Sequence, residues 1–302
     1  MGSLFKQIYR YTRPRSFRHN ENLWPWTKIQ RAKSGEISSL NYKGFPVPLV
    51  SLSGLKGSAQ GEVLLTATGP STRGIDFKKL PKDIPVMGVN GAYSLSLDVN
   101  FSLYVIVDME FFDKRSDIIR AIIADSSILL FTTMHGIAKI LDRHAAELKC
   151  RLALIEDACY KIYQPKVPHD QKWEAYNGNS PMRFCEKRND ICFSTDIRLG
   201  IFDAGTVVYW ALQILTFMGF NTILISGLDM NNFHQPRFYE TAENKLPSYL
   251  ETKIDNLVMP SFAHASRIMK ENKSTVVNFS LDSAVPDAVF TKVSFDDYFN
   301  NR

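Results

Sequence analysis

The sequence has no long apolar run and contains few cysteines. No apolar stretch approaches the roughly 20 residues that a transmembrane helix needs, and the charged N-terminus lacks the apolar core of a signal peptide. The four cysteines among 302 residues show no CxxC pairing of the metal-binding kind, and they are too few for a disulfide framework. We therefore expect reduced thiols and a cytoplasmic location.

Acidic residues are nearly absent from the first 33 residues, where Glu21 is the single acid. The cations of this stretch are Lys6, Arg10, Arg13, Arg15, Arg18, Lys28, Arg31 and Lys33. Aromatic residues such as Phe5 and Trp24 are interleaved with them, a composition typical of segments that lie on anionic membranes. We expect residues 1–33 to bind the cytoplasmic face of the inner membrane. Packing against the rest of the chain or plain flexibility is the alternative, and nucleic acid is not expected.

The length and the pattern of the chain indicate a lead-in followed by one domain. Residues 1–60 are basic and contain proline and glycine, whereas alternating α/β patterning begins near Glu62, so residues 61–302 are expected to form a single domain. Periodicity fails at about 159–200, where prolines, aromatics and cations collect. A loop of this length in a compact domain is usually a lid or a disordered segment. Its aromatic and cationic content favours a lid over an anionic substrate.

Short apolar runs that end in small polar residues recur along the chain. The first, Glu62 to Thr66, leads into a Gly-Pro-Ser turn, and similar runs precede Asn90 and Asp108. Runs without alternation suit strands buried on both faces, so we predict an α/β, Rossmann-like, mostly parallel sheet with helices on both faces. Ligands of such sheets bind beyond the carboxyl ends of the strands, near a topological switch point. The strand ends are therefore expected to form one nucleotide cleft.

The strand-end turns and one helix start supply the candidate nucleotide-binding residues. Gly69 allows the backbone to approach an anion, and Ser71 or Thr72 is expected to cap a short helix whose N–H groups favour negative charge; an ordinary structural turn is the alternative. The predicted set is Thr68, Gly69, Pro70, Ser71, Asn90, Asp108, Thr132, Gly205, Thr206, Gly227 and Ser280.

Helical spacing of apolar residues predicts helices over 113–124, 136–148 and 247–271. A further helix from Val207 to Met218 is apolar nearly all round, which predicts that it is buried. It is capped by the segment ending at Thr206 and stopped by Gly219. Tyr209 and Gln213 share one face of this helix. Their polar ends either project toward the cleft or are satisfied within the core.

Several of these motifs, taken in order, resemble two groups of bacterial transferases. The turn Ala67 to Ser71, the strand-end Asn90, Gly205-Thr206 and the stretch Ser226 to Met230 resemble the lipo-oligosaccharide sialyltransferases. The stretches Val208 to Gln213, Ser226 to Asp229, Pro236 to Glu240 and Asn278 to Ser280 resemble the WaaZ-like Kdo transferases of the lipopolysaccharide core. Together the likeness covers about Glu62 to Phe299. Thr68 replaces the asparagine of the sialyltransferase turn, and Asp203 to Thr206 replaces its TSG helix start.

The resemblance implies an inverting glycosyltransferase that moves Kdo, a 2-keto sugar acid, from CMP-Kdo to the lipopolysaccharide inner core without a metal. The sequence contains no Asp-x-Asp triplet of the kind that holds a divalent ion against a diphosphate donor. The alternatives are a sialyltransferase or another CMP-sugar transferase, or a non-catalytic nucleotide- or glycan-binding module at the membrane.

The same resemblance suggests roles for individual side chains. A general base must take the proton of the acceptor hydroxyl, and histidine is the natural base near neutral pH. His264 is our first candidate, followed by His234 and Asp229. Tyr209 is expected to hydrogen-bond the leaving phosphate, and Arg237 is expected to pair with a substrate carboxylate.

Overall fold

Eight parallel strands form the central sheet of the protein. The structure is a computed structural model that describes the backbone of residues 2–300 and the side chains of residues 4–300. With strands numbered in chain order, the sheet runs β13 (Thr291–Lys292), β12 (Thr275–Asn278), β11 (Thr222–Ser226), β4 (Glu62–Thr66), β5 (Val86–Val89), β6 (Leu103–Ile106), β7 (Leu129–Thr132), β8 (Arg151–Leu154). Every neighbouring pair is parallel, which confirms the predicted fold class.

Helices cover both faces of this sheet, and for that reason its central strands are apolar without alternation. One face is covered by α7 (Val207–Met218) and α8 (Met259–Glu271). The other face packs against α4 (Ser116–Ala124), α5 (Met134–His144) and α9 (Phe295–Asn300). The helix predicted over 113–124 is divided, because α3 (Met109–Lys114) ends just before α4. The helix predicted from 247 begins later, at a π-helical turn over Ile254–Val258.

The direction in which strands are added reverses between β4 and β11. From β4 the chain proceeds outward through β5 to β8, and it returns to the opposite side of β4 with β11, β12 and β13. The loops that follow β4 and β11 therefore lead to opposite sides of the sheet. This is the switch point at which a crevice opens in a doubly wound fold.

The lead-in folds against the domain that follows it. It comprises α1 (Gly2–Thr12), an antiparallel sheet of β1 (Thr27–Arg31), β2 (Ile37–Tyr42) and β3 (Phe45–Val47), and α2 (Leu52–Leu55). Arg31 Nη2 donates to Glu156 Oε1 at 2.9 Å, and the Tyr163 hydroxyl donates to the Thr27 carbonyl at 2.6 Å. These are contacts of the kind expected if residues 1–33 pack against the rest of the chain. No helix within residues 2–300 is both long and apolar enough to cross a membrane.

The segment at about 159–200, predicted as a lid, is an ordered insertion. It contains α6 (Lys172–Tyr176) and an antiparallel hairpin of β9 (Met182–Cys185) and β10 (Arg188–Ser194), and β10 packs on α8. None of its residues lines the cleft described below, so the predicted position of the lid is corrected. Its elements are short, and for that reason the sequence shows no periodicity there.

Candidate active site

A cleft of about 430 Å³ opens at the carboxyl ends of β4, β5, β6 and β11. This volume lies within the range of small-ligand sites. The predicted nucleotide-binding residues that line the cleft are Thr68, Gly69, Pro70, Asn90, Asp108, Gly205, Thr206 and Gly227. Asp229 and Arg237 line it as well. The fold thus brings most of the strand-end candidates together at the switch point.

The outer wall of the cleft is the segment 230–253, which we call the cover segment. It contains no helix or strand, yet it supplies Arg237, Tyr239, Lys245, Tyr249 and Lys253 to the lining. Its place over the cleft is not among the features predicted from the sequence. The sequence feature that could have indicated this role is the loss of apolar periodicity directly after a strand at the predicted switch point.

Glu240 anchors the cover segment from inside. Its side chain is fully buried and accepts hydrogen bonds from Arg237 Nη1 at 2.9 Å, from the Arg237 amide at 3.0 Å and from the Leu246 amide at 3.2 Å. Arg115 Nη2, on the sheet domain, donates to the same carboxylate at 3.3 Å. Burial by itself raises the pKa of Glu240, but these donors and the Arg237 charge hold it below its usual value. Arg237 is therefore an ion-pair partner of Glu240 as well as a lining residue.

The turn after β4 packs against the turn after β11. The Gly69 amide donates to the Gly227 carbonyl at 2.9 Å, and the Ser71 amide donates to Asp229 Oδ2 at 3.0 Å. A Cβ on Gly69 would lie 2.5 Å from Asp229 Oδ2 and 2.6 Å from the Gly227 oxygen. The anion that Gly69 approaches is thus the protein's own Asp229 carboxylate. Ser71 does not cap the short helix Pro70–Gly74; its hydroxyl donates to Asp229 instead.

Asn90 offers an unsatisfied polar atom at the cleft. Its backbone has the positive φ of 46° that asparagine tolerates better than most residues. Its carbonyl accepts a hydrogen bond from the Tyr104 hydroxyl at 2.7 Å. The side-chain oxygen is buried and has no hydrogen-bond partner within the described residues. Because unpaired buried oxygens are unfavourable, a ligand N–H or O–H is a suitable partner for it.

The N-terminus of α7 forms another part of the cleft wall. Thr206 caps the helix, its hydroxyl accepting from the Val208 amide at 3.4 Å. Asp203 accepts from the Gly205 amide at 3.1 Å and from Trp210 Nε1 at 2.8 Å. The aliphatic stem of Lys253 lies over Gly205, where a Cβ would be 3.2 Å from the lysine Cδ. The positive end of the helix dipole and the charge of a nearby lysine both favour the binding of an anion at this place.

Some predicted site residues lie away from the cleft. The Tyr209 hydroxyl is buried and donates to the Cys192 carbonyl at 2.9 Å, so the face of α7 that carries Tyr209 and Gln213 points at the insertion. The Thr132 hydroxyl donates to the Ile106 carbonyl at 2.6 Å beneath α5. Ser280 is buried against Ser71, their hydroxyl oxygens being 2.7 Å apart. These placements correct the expected ligand contacts of Tyr209, Thr132, Ser71 and Ser280.

The two candidate histidines also lie outside the cleft lining. His264 is buried on α8, where its Nε2 lies 2.6 Å from the Arg183 carbonyl. Since a carbonyl only accepts, Nε2 carries the proton of this ring, and burial lowers the pKa of His264. His234 has a side chain that is 86% exposed, with Nε2 3.5 Å from Glu251 Oε1. The structure therefore brings neither ring to the cleft, and Asp229 is the predicted base candidate that it does bring there.

The cleft contains carboxylates, but they are not grouped as a metal-binding site. The acidic lining residues are Asp108, Glu110, Asp203 and Asp229. Within residues 2–300, no group of three or more histidine, cysteine, aspartate or glutamate side chains is arranged to hold a metal ion. That the reaction proceeds without a metal stays a prediction.

Solved structures of sialyltransferases align with the chain at low similarity. The sialyltransferase CstII from Campylobacter jejuni, in complex with cytidine-5'-monophosphate, aligns with a TM-score of 0.40 and 13% identity over 75% of this chain and 86% of that chain. The monofunctional α-2,3-sialyltransferase Cst-I from the same organism aligns with a TM-score of 0.41 and 12% identity, over 81% and 82% of the two chains.

The sequence comparisons identify a family. A probable 3-deoxy-manno-octulosonic acid transferase from Salmonella typhimurium is 25% identical over 235 residues, covering 74% of this chain and 83% of the relative. An Escherichia coli protein of the same description is 22% identical over 256 residues, covering 80% and 86%. Residues 52–294 match the family model of the 3-deoxy-D-manno-octulosonic acid transferase WaaZ. Since that match spans most of the chain, the protein belongs to the WaaZ family of Kdo transferases, a family of glycosyltransferases.

Proposed function

We propose that the protein transfers Kdo from CMP-Kdo to the inner core of lipopolysaccharide, with inversion at the anomeric carbon. The observation that carries this proposal is that eight of the eleven predicted nucleotide-binding residues line one cleft at the switch point of the sheet. Family membership supports the sugar. The motif resemblance to CMP-sugar transferases supports the cytidine monophosphate carrier.

The geometry of the cleft suggests how the reaction is assisted. The acceptor oxygen attacks the anomeric carbon while CMP departs, so negative charge grows on the leaving phosphate. The N-terminus of α7 and the Lys253 ammonium would stabilise that charge. Arg237 uses Nη1 for Glu240 and the Leu246 carbonyl, so its other N–H groups remain for the carboxylate of Kdo. The Asn90 amide would hydrogen-bond the nucleotide.

Binding of CMP in the presence of a chelator is the first test. Isothermal titration calorimetry with EDTA is expected to show CMP binding, with UDP and ADP binding at least about tenfold more weakly because the site is built for a monophosphate donor. If CMP failed to bind, or if another nucleotide bound better only after metal was added, the proposed donor would be wrong. Turnover of CMP-Kdo against CMP-sialic acid then identifies the sugar.

The first helix supports a membrane-facing role for the lead-in. Phe5 and Tyr9 face inward, with the Phe5 ring 5.9 Å from that of Trp24. Leu4, Ile8 and Tyr11 follow the i, i+4, i+7 spacing of a single helix face, and they are exposed by 62%, 38% and 89%. An outward apolar stripe among cations suits the interface of an anionic bilayer. We propose that residues 1–33 hold the enzyme on the cytoplasmic face of the inner membrane.

A vesicle experiment tests the membrane proposal. The combined change Leu4→Ser, Ile8→Ser and Tyr11→Ser is expected to weaken binding to phosphatidylglycerol vesicles by about tenfold or more, because each apolar side chain contributes on the order of 1 kcal/mol when buried. Leu97→Ser is the control, since Leu97 is 98% exposed outside this stripe. Equal sedimentation of the triple variant and the wild type would refute the role of the stripe.

A further inference from the structure

One carboxylate in the cleft is not engaged by the rest of the protein. Asp203 and Asp229 accept the hydrogen bonds described above, and Asp108 caps α3 by accepting from two backbone amides, at 2.9 Å and 3.1 Å. The fourth acid, Glu110, lines the cleft and is exposed. No side chain or backbone group among the described residues donates to its carboxylate. The protein therefore holds three of these carboxylates by hydrogen bonds, Asp108 through Oδ1 alone, and leaves both oxygens of Glu110 without a donor among the described residues.

The transfer reaction requires a group that accepts a proton in the cleft. An alcohol is a poor nucleophile, and removal of its proton during attack typically accelerates transfer by about 10²–10⁴-fold. All six histidines lie in the described part of the chain, and none of them lines the cleft. A carboxylate is the other common base. Asp229 is held by the Ser71 amide and hydroxyl, and two of its lone pairs are thereby occupied.

The backbone of Glu110 is held firmly while its side chain remains free. Asp108 fixes the start of α3 through the Glu110 and Phe111 amides. The adjacent Phe111 is buried, and its ring lies edge-on to Tyr239 of the cover segment at 6.4 Å. Glu110 therefore stands where α3 meets the cover segment. A general base needs a backbone that is held in place and a carboxylate that no other donor occupies.

We infer that Glu110 is the general base of the proposed transfer, an assignment that rests on the proposed function. The acceptor oxygen forms a bond to the anomeric carbon of Kdo as the bond from that carbon to the CMP phosphate oxygen breaks. The leaving phosphate takes the electron pair of the broken bond. The proton of the acceptor hydroxyl passes to the Glu110 carboxylate and afterwards to water, so no further reactant is needed.

The test compares Glu110→Gln and Glu110→Ala with the wild type in a CMP-Kdo transfer assay, together with calorimetry of CMP. We expect kcat to fall by about 10²–10⁴-fold in both variants, while the Kd for CMP changes by less than about threefold. Added formate is expected to restore part of the activity of Glu110→Ala but not of Glu110→Gln, because only the alanine variant leaves space for a small carboxylate. Glu174→Gln, an exposed change on α6 outside the cleft, is the matched control and should behave like the wild type.

The outcomes separate this assignment from the proposed function. If the wild type binds CMP and transfers Kdo but Glu110→Gln keeps its kcat within about threefold, Glu110 is not the base although the enzyme is correctly identified. Loss of CMP binding in the Gln variant would likewise overturn the assignment in favour of a nucleotide contact. A wild type that neither binds CMP nor transfers Kdo would overturn the proposed function itself.

Discussion

Replacing Glu240 by alanine is expected to lower the free energy of unfolding by about 3–5 kcal/mol, the usual cost of removing one partner from a buried ionic network. The change removes the shared acceptor of the Arg237 guanidinium and of the Arg237 and Leu246 amides. Arg115, which joins the cover segment to the sheet domain, loses a contact as well. We therefore expect the cover segment to detach and transfer activity to be lost.

Urea denaturation measures this effect, and Glu243→Ala is the matched control. Glu243 lies three residues further along the cover segment and is fully exposed, so its removal should leave the free energy of unfolding nearly unchanged. Similar stabilities for the two variants would show that Glu240 does not anchor the segment. Denaturation together with a transfer assay distinguishes detachment of the segment from global unfolding.

The contribution of Glu240 to the free energy of unfolding should decrease as the pH is lowered. Because the folded protein holds its pKa below the unfolded value, the ionised carboxylate stabilises the fold at pH values above the unfolded pKa. This stabilisation is lost as the pH falls through the lowered folded pKa. The stability difference between the wild type and Glu240→Gln is therefore expected to be full at pH 7 and to shrink in acid. If this stability difference grew on acidification, Glu240 would not be an ionised, hydrogen-bonded carboxylate in the folded protein.

Replacing Gly69 by alanine is expected to decrease transfer by about 100-fold or more, because a misplacement of about 1 Å in a site can have that effect. The added methyl group would lie 2.5 Å from Asp229 Oδ2 and 2.6 Å from a backbone oxygen of Gly227. Neither distance is possible without moving the β4 turn away from the β11 turn. Such overpacking typically costs about 1–3 kcal/mol of stability.

Gly74→Ala is the control for this prediction, because a Cβ at Gly74 meets no atom within 4 Å and the residue belongs to the same short helix. Calorimetric titration with CMP and urea denaturation of both variants provide the measurement. We expect Gly74→Ala to bind CMP like the wild type and Gly69→Ala to bind it at least about tenfold more weakly. Unchanged CMP affinity in Gly69→Ala would show that the packed turns do not form the nucleotide site.

The histidines show where inference from sequence reaches its limit. His264 has a suitable chemistry and lies beyond the expected strand, but helix α8 turns its ring toward the Arg183 carbonyl of the insertion. The expected contact of Tyr209 with the leaving phosphate is absent for the same reason, since β10 covers the face of α7 that carries Tyr209. The direction in which a helical side chain points depends on what packs on that face, and the insertion at about 159–200 shows no periodicity from which its packing can be predicted.

The sequence by itself determined the parallel α/β sheet, the buried helix Val207–Met218 and the gathering of strand-end residues such as Asn90 and Gly69, because these follow from local apolar periodicity and from turn residues. Only the tertiary structure decided that segment 230–253 covers the cleft, that Arg237 is paired with Glu240, and that Glu110 is the unpaired carboxylate. Those facts depend on contacts between residues far apart in the chain, which are set by the packing of whole elements and have no local pattern.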